Sequence, residues 1–173
     1  DVDVDGNTAL HLACKAGWRS VVGCLMKSGA NADIPNKNGR MPLELAASGG
    51  YAQIVETLLS SLPFSPSASY MEPALVAACH GKHVKTVQYL LDSGANPLAV
   101  ARTNAANLPC KPRPALVFLD GQPGFSVADT LRNVSAAKLA LLELESEDDY
   151  WRELSPYVES LDLRRNRLHW LPT

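Results

Sequence analysis

The stretch that decides the fold is DGNTALHLACKAG, Asp5–Gly17. A hydroxyl residue precedes a short apolar run, a histidine follows three positions later, and a glycine closes the segment. Moved along by 33 residues, the sequence overlays itself. Gly6 falls on Gly39, Leu10 on Leu43, Leu12 on Leu45, Ala13 on Ala46 and Gly17 on Gly50. Beyond the glycine, Val21-Val22 falls on Ile54-Val55 and Leu25-Met26 on Leu58-Leu59. A looser third copy follows. Ala77-Ala78 and Gly81 repeat Ala46-Ala47 and Gly50 at a shift of 31, while Val87, Leu90-Leu91 and Ser93–Asn96 repeat the first copy at a shift of 65.

Each position has a physical reason. Thr8 caps a short first helix through its hydroxyl. Leu10, Leu12 and Ala13 face inward, and the small alanine lets neighbouring helices approach. Gly17 ends the helix in a left-handed conformation. Val21, Val22, Leu25 and Met26 form one buried stripe on a second helix. Gly29 stops that helix, and Asn31 begins a hairpin. These residues are similar to the ankyrin repeat, whose period and T-P-L-H-x-A signature they share over residues 3–97. In the second copy Met41 stands for the capping Thr and Glu44 for the His. Ser60–Pro73, with three prolines and several serines, reads as an irregular loop where a hairpin is expected. Leu10, Val21 and Leu25 give the first unit no polar outer face, so further repeats are expected ahead of Asp1.

Four prolines between residues 97 and 114 exclude a continuous helix and mark residues 98–136 as a proline-rich connector. Within it, Ala115–Gly121 reads as a short buried strand closed by a turn. Ser126–Val134 reads as a short helix with Ser126 as cap and Asp129 at the capping-box position. Leu139, Leu142 and Leu144 then have the spacing L-x-x-L-x-L. Val158, Leu161 and Leu163 repeat it, followed by Asn166, Leu168, Leu171 and Pro172. This resembles the leucine-rich repeat, with Glu147 in place of the Asn in the first, degenerate copy. One such unit cannot bury its own face, so the solenoid is expected to continue past Thr173. The fold expected is mainly α: an ankyrin-repeat solenoid over residues 1–97, the connector, and the start of a leucine-rich-repeat (α/β) solenoid over 137–173. Ankyrin repeats followed by an atypical first leucine-rich repeat resemble the Roco kinase family. The resemblance implies a GTP-binding domain and a serine/threonine kinase outside this chain, with this segment a non-catalytic scaffold for partner binding or intramolecular regulation. The alternative is a cytoplasmic ankyrin/leucine-rich-repeat adaptor with no enzyme attached.

Chemistry is otherwise sparse. The 173 residues carry a formal net charge of -2, which gives no general attraction to nucleic acid. No apolar run reaches the roughly 20 residues that span a bilayer. Cys14, Cys24, Cys79 and Cys110 form no CxxC pair and read as free thiols of a reducing, cytoplasmic setting. The Cys79–His83 segment, CHGKH, is too poor in ligands for zinc and reads as a helix end. No G-x-x-x-x-G-K-[ST] loop is present. Expected, therefore, are no catalytic residues, no metal, no cofactor, no small-molecule ligand and no nucleic-acid partner, but proteins or other domains of the same chain.

Transferred by position, the ankyrin resemblance points to Asn7, Lys15, Asn38, Arg40, Ser48 and His80 as groove residues. Trp18 and Tyr51, next to the helix-ending glycines, are either interface anchors or packing against the next repeat. His11 is expected to tie neighbouring loops through backbone hydrogen bonds. The leucine-rich resemblance places Asp162, Arg164 and Arg165 on a concave face.

Overall fold

The structure, a computed structural model, describes residues 1–62, 66–97, 100–101, 113–119, 121–127 and 130. It divides into two units, Asp1–Asn96 and Pro97–Thr173.

The first unit consists of three helix pairs: α1 (Ala9–Ala16) with α2 (Arg19–Lys27), α3 (Pro42–Ser48) with α4 (Ala52–Ser61), and α5 (Ala68–His80) with α6 (Val84–Asp92). The first helices pack as one layer, α1 on α3 on α5, and the second helices as another, α2 on α4 on α6. Alanines make the inner layer possible. Ala13, Ala46 and Ala78 are almost wholly buried at the same register, beside Leu10, Leu43 and Leu75.

Thr8 caps α1 as its sequence requires. Its hydroxyl accepts from the His11 amide, and the His11 ring closes a reciprocal box by accepting from the Thr8 amide at 3.1 Å. At α3 the cap position is Met41, with no side-chain bond, and Pro42 opens the helix instead. Proline suits that position because the first-turn amide has no intrahelical partner.

Several expectations are corrected. The stripe Val21, Val22, Leu25, Met26 is not uniformly buried. Val22 is fully covered, Val21 is 43% exposed, and Leu25 and Met26 are half-buried; Leu12 is also exposed, at 44%. The same positions in α4, Ile54, Val55, Leu58 and Leu59, are all buried. The reason is neighbours: α4 packs against both α2 and α6, whereas α2 has only α4 among the second helices. The segment Ser60–Pro73 is not a loop throughout. Its first residues finish α4 and its last six open α5. Ser67 starts α5 by accepting the Tyr70 amide at 3.2 Å, and Met71 fills the space of a hairpin with a buried side chain. Pro73, which suggested a break, stands inside the helix, where it offers no amide to the Ser69 carbonyl. Finally, the third copy is in register at a shift of 32, not 31. The left-handed position filled by Gly17 and Gly50 is taken by Lys82, at φ 55°, and Gly81 is ordinary right-handed backbone.

The second unit opens with two short antiparallel strands, β1 (Val100–Ala101) and β2 (Arg113–Pro114), with Val100 opposite Pro114. A 3-10 helix follows over Ala115–Leu119, where a strand was expected. A short apolar run has no periodicity that separates strand from helix. Here Ala115, Leu116 and Leu119 are buried, a helical spacing. Val127 and Thr130 are helical, and the Thr130 amide donates to the Ser126 carbonyl at 3.1 Å. Asp129 and the whole leucine pattern of residues 139–172 lie outside the described residues.

Three measurable consequences follow from this packing. Lys82→Gly removes left-handed strain of about 1–2 kcal/mol at the expense of roughly 0.5–1 kcal/mol of chain entropy, so a net gain on the order of 0.5–1 kcal/mol is expected in denaturant unfolding. Thr86, fully buried on α6, has a hydroxyl with no hydrogen-bond partner. Thr86→Val keeps the shape and removes the unmatched hydroxyl, so it raises stability by about 1 kcal/mol; an unchanged or lower midpoint contradicts this account. Burial also pushes the Cys14 and Cys79 thiols up to about 12, and burial, then the nearby Asp33 charge, does the same for Tyr70. All three groups hold their protons longer folded than unfolded. Stability therefore falls as pH climbs from about 9 toward 12, because the unfolded chain binds fewer protons there. Circular-dichroism titration reads this loss, and Cys14→Ala reduces its slope.

Candidate functional site

The surface available for recognition is built from three kinds of position that recur in each helix pair. The first lies in the loops before α1 and α3. Asp3 organises one loop: its carboxylate accepts the Asp5 amide at 2.9 Å, the Asn7 amide at 2.7 Å and the Asn7 side chain at 2.9 Å. The Asn7 bonds, foremost among these, hold its carboxyl below the usual carboxylate range. Asn36 does the same in the next loop, accepting the Asn38 amide at 3.0 Å and the Arg40 amide at 2.9 Å. The two loops are then fastened side by side. Asn36 donates to the Asn7 side-chain oxygen at 2.8 Å, the Lys37 amide to the Asp5 carbonyl at 3.0 Å, and the Lys37 ammonium to the Val4 carbonyl at 2.7 Å.

Asn7 is therefore part of the scaffold as well as of the surface. Arg40 is half-buried and donates through Nε to Glu44 at 2.6 Å, one helical turn on. Glu44 holds the place of His11, and the ion pair is local to its own helix. Asn38 stays exposed at the loop tip.

The second kind of position is the exposed row two residues ahead of each left-handed turn residue: Lys15, Ser48 and His80. Lys15 and His80 are exposed. Ser48 is half-buried, and its hydroxyl donates to the Leu45 carbonyl at 2.9 Å.

The third is the residue after the turn: Trp18, Tyr51 and His83, each preceding a second helix. Here the alternatives separate. Tyr51 packs over Gly17 of the preceding pair, where an added Cβ would lie 2.6 Å from its Cζ. His83 packs over Gly50, with its Nδ1 2.5 Å from such a Cβ, and its Nε2 bonds the Ser48 carbonyl at 3.0 Å. Trp18 is 61% exposed. In the sequence His83 reads as part of a helix end. The shift of 65 that links Val22 to Val87 also links Trp18 to His83, so the signal was present.

Two buried or half-buried imidazoles thus join consecutive pairs. Besides His83, the fully buried His11 bonds the Arg40 carbonyl through Nε2 at 3.1 Å. Since its Nδ1 accepts from Thr8, the ring proton resides on Nε2, which donates. The expectation that His11 ties neighbouring loops through the backbone is met.

The CHGKH side chains point to different places: Cys79 is buried, His80 exposed, and His83 is engaged with Ser48. Among the described residues no group of three or more His, Cys, Asp or Glu could hold a metal ion, and no helix is long and apolar enough to cross a membrane. Asp162, Arg164 and Arg165 lie outside the described residues.

Residues 1–70 match the family model of ankyrin repeats in three copies, and residues 72–102 that of the single ankyrin repeat. Among similar proteins, human ankyrin repeat and KH domain-containing protein 1 is 38% identical over 98 residues, covering 55% of this chain and 4% of that protein. Mouse Rabankyrin-5 is 28% identical over 114 residues, 58% of this chain and 10% of the relative. The Drosophila DNA replication inhibitor plutonium is 38% identical over 96 residues, 54% of this chain and 55% of the relative. The chain thus spans a small part of the first two and about half of the third. Through residues 1–70 and 72–102, more than half its length, the chain belongs to the ankyrin-repeat family.

Proposed function

We propose that this protein-interaction segment docks a protein partner along the row Lys15, Ser48 and His80, with Trp18 as its aromatic anchor and Asn38 at the loop tip. The observation that carries this reading is Trp18. Tyr51 and His83 each cover the glycine of the pair that precedes them, and Trp18, on the first pair of the described residues, is 61% exposed. A large exposed aromatic beside a cation is the composition of an interface hot spot.

The finer context is a Roco-type kinase. The ankyrin repeats and the pattern Val158–Pro172 follow the order of that family, with residues 137–173 as the start of a leucine-rich solenoid. In that setting the segment is a cytoplasmic, non-catalytic arm that binds partners or restrains the catalytic half. Asp162, Arg164 and Arg165 extend the binding face. Reading the transcript past Thr173 tests it. A G-x-x-x-x-G-K-[ST] loop, then H-R-D and D-F-G, is the expected result; a stop codon before any such motif removes the kinase.

The anchor is tested with peptides selected from a random display library for binding to the whole chain. Trp18→Ala weakens the selected peptides by tenfold or more, and Lys15→Glu weakens them as well. Glu56→Ala on the outer helices leaves them unchanged. Selected peptides insensitive to Trp18 and Lys15 overturn the assignment. Folding separates the aromatic roles too. Trp18→Ala stays within about 0.5 kcal/mol of the parent. Tyr51→Ala uncovers Gly17 and costs roughly 1–2 kcal/mol.

A further inference from the structure

The opening of the second unit repeats the opening of the first. In the first, Val2 pairs antiparallel with Thr8, and the next residues, Ala9-Leu10, enter α1. In the second, Val100 pairs antiparallel with Pro114, and the next residues, Ala115-Leu116, enter a 3-10 helix. The sequence makes the same identification by another route. Pro73-Ala74-Leu75-Val76, at the corresponding place in the third pair, is spelled again as Pro114-Ala115-Leu116-Val117. Burial agrees residue by residue. Ala74, Leu75 and Ala78 are each no more than 1% exposed, and so are Ala115, Leu116 and Leu119 at the same spacing. A left-handed glycine then follows, Gly121 at φ 75°, five residues after Leu116, where Gly17 and Gly50 stand at the same angle seven residues after Leu10 and Leu43. Beyond it the chain becomes helical again at Val127, whose side chain is buried.

We infer that residues 100–130 are the first part of a fourth ankyrin repeat, enlarged by insertion, rather than a spacer between two solenoids. The inference goes beyond the proposed binding row and does not depend on it. Besides the early glycine, two insertions take it out of the period of 33. The segment between the paired residues is residues 101–113, against 3–7 in the first unit, so eight residues are added (13 − 5). The turn between the helices is also longer. Gly121 precedes the helical Val127 by six residues, whereas Gly17 precedes Arg19 by two. Of the four prolines that mark a connector, three fall at 109, 112 and 114. Two of them belong to the inserted segment. The third stands just before the 3-10 helix, at the register that Pro73 holds within α5.

Exchange of the insertion tests this. In the full chain, residues 101–113 are replaced by the five-residue tip Asp-Val-Asp-Gly-Asn of the first unit, keeping Val100 and Pro114. A shared element accepts the shorter tip. The methyl resonances of Leu116, Leu119 and Val127 keep their dispersed shifts, and the unfolding midpoint stays or rises, since a shorter loop closes more easily. Collapse of those shifts to random-coil positions, with the Leu43 and Leu75 methyls unmoved, overturns the inference. A second variant covers global failure. Residues 101–113 placed between Val2 and Thr8 give a folded, less stable chain if the two hairpins are one element. Failure of both exchanges to fold also overturns the inference.

Discussion

The stack depends on a ring laid over a left-handed turn. Between the helices of a pair the chain reverses in two or three residues, and one of them has positive φ. A side chain on Gly17 or Gly50 would collide with the ring that the next pair places there, Tyr51 or His83. The glycine therefore serves twice: it lets the backbone turn left, and it leaves a floor flat enough for an aromatic ring to lie on. In the third pair Lys82 occupies the left-handed position with its own side chain. The tight reversal sets the helix pair antiparallel, and the ring sets where the following pair sits on it.

The same joint solves a hydrogen-bonding problem. Carbonyls at the ends of short helices have no partner within their own helix. Helix α3 is seven residues long, so a large share of its backbone is terminal. His11 reaches the Arg40 carbonyl just before its start, and His83 the Ser48 carbonyl at its end. Both imidazoles come from the neighbouring pairs. An apolar side chain would cover the Ser48 carbonyl without satisfying it, at a cost of roughly 1–3 kcal/mol, and would remove one of two bonds to the Arg40 carbonyl, which also accepts the Asn36 amide at 3.0 Å. The imidazole has apolar body enough to be buried and a donor to give. That combination explains why histidine recurs at the seams of a chain with only four histidines.

Much of this was legible in the sequence, because the ankyrin pattern is written in residues with strict local requirements. The cap Thr8, the turn residues Gly17 and Gly50, and the alanines at 13, 46 and 78 each follow from geometry that few residue types can meet. What was not legible depends on neighbours. Nothing in the types Val21 and Leu12 separates them from Ile54 and Leu45; only the absence of a second covering helix leaves them exposed. Pro73 reads as a break, yet packing of Met71 and Ala74 keeps the helix continuous through it. Ala115–Gly121 reads as a strand because its five apolar residues carry no period, yet Ala115–Leu119 is a 3-10 helix. At the candidate site, the split between Trp18 and Tyr51 was equally invisible, because both follow a glycine and only the stack decides which ring is covered.

The variation among the helix pairs is concentrated at one edge. The inner and outer helices hold the same register throughout, while the segment before each first helix differs every time. Ahead of α1 and α3 it is a polar turn organised by Asp3 or Asn36, the two fastened to each other by three hydrogen bonds. Ahead of α5 it is a helical extension, with the Tyr70 hydroxyl donating to the Ala32 carbonyl at 3.4 Å. Helix register is constrained on every side by burial, whereas an edge segment need only return the chain to the next cap. Change is cheap there and costly in the stack. A surface composed of unlike edges on a uniform frame is therefore where the helix pairs differ most from one another.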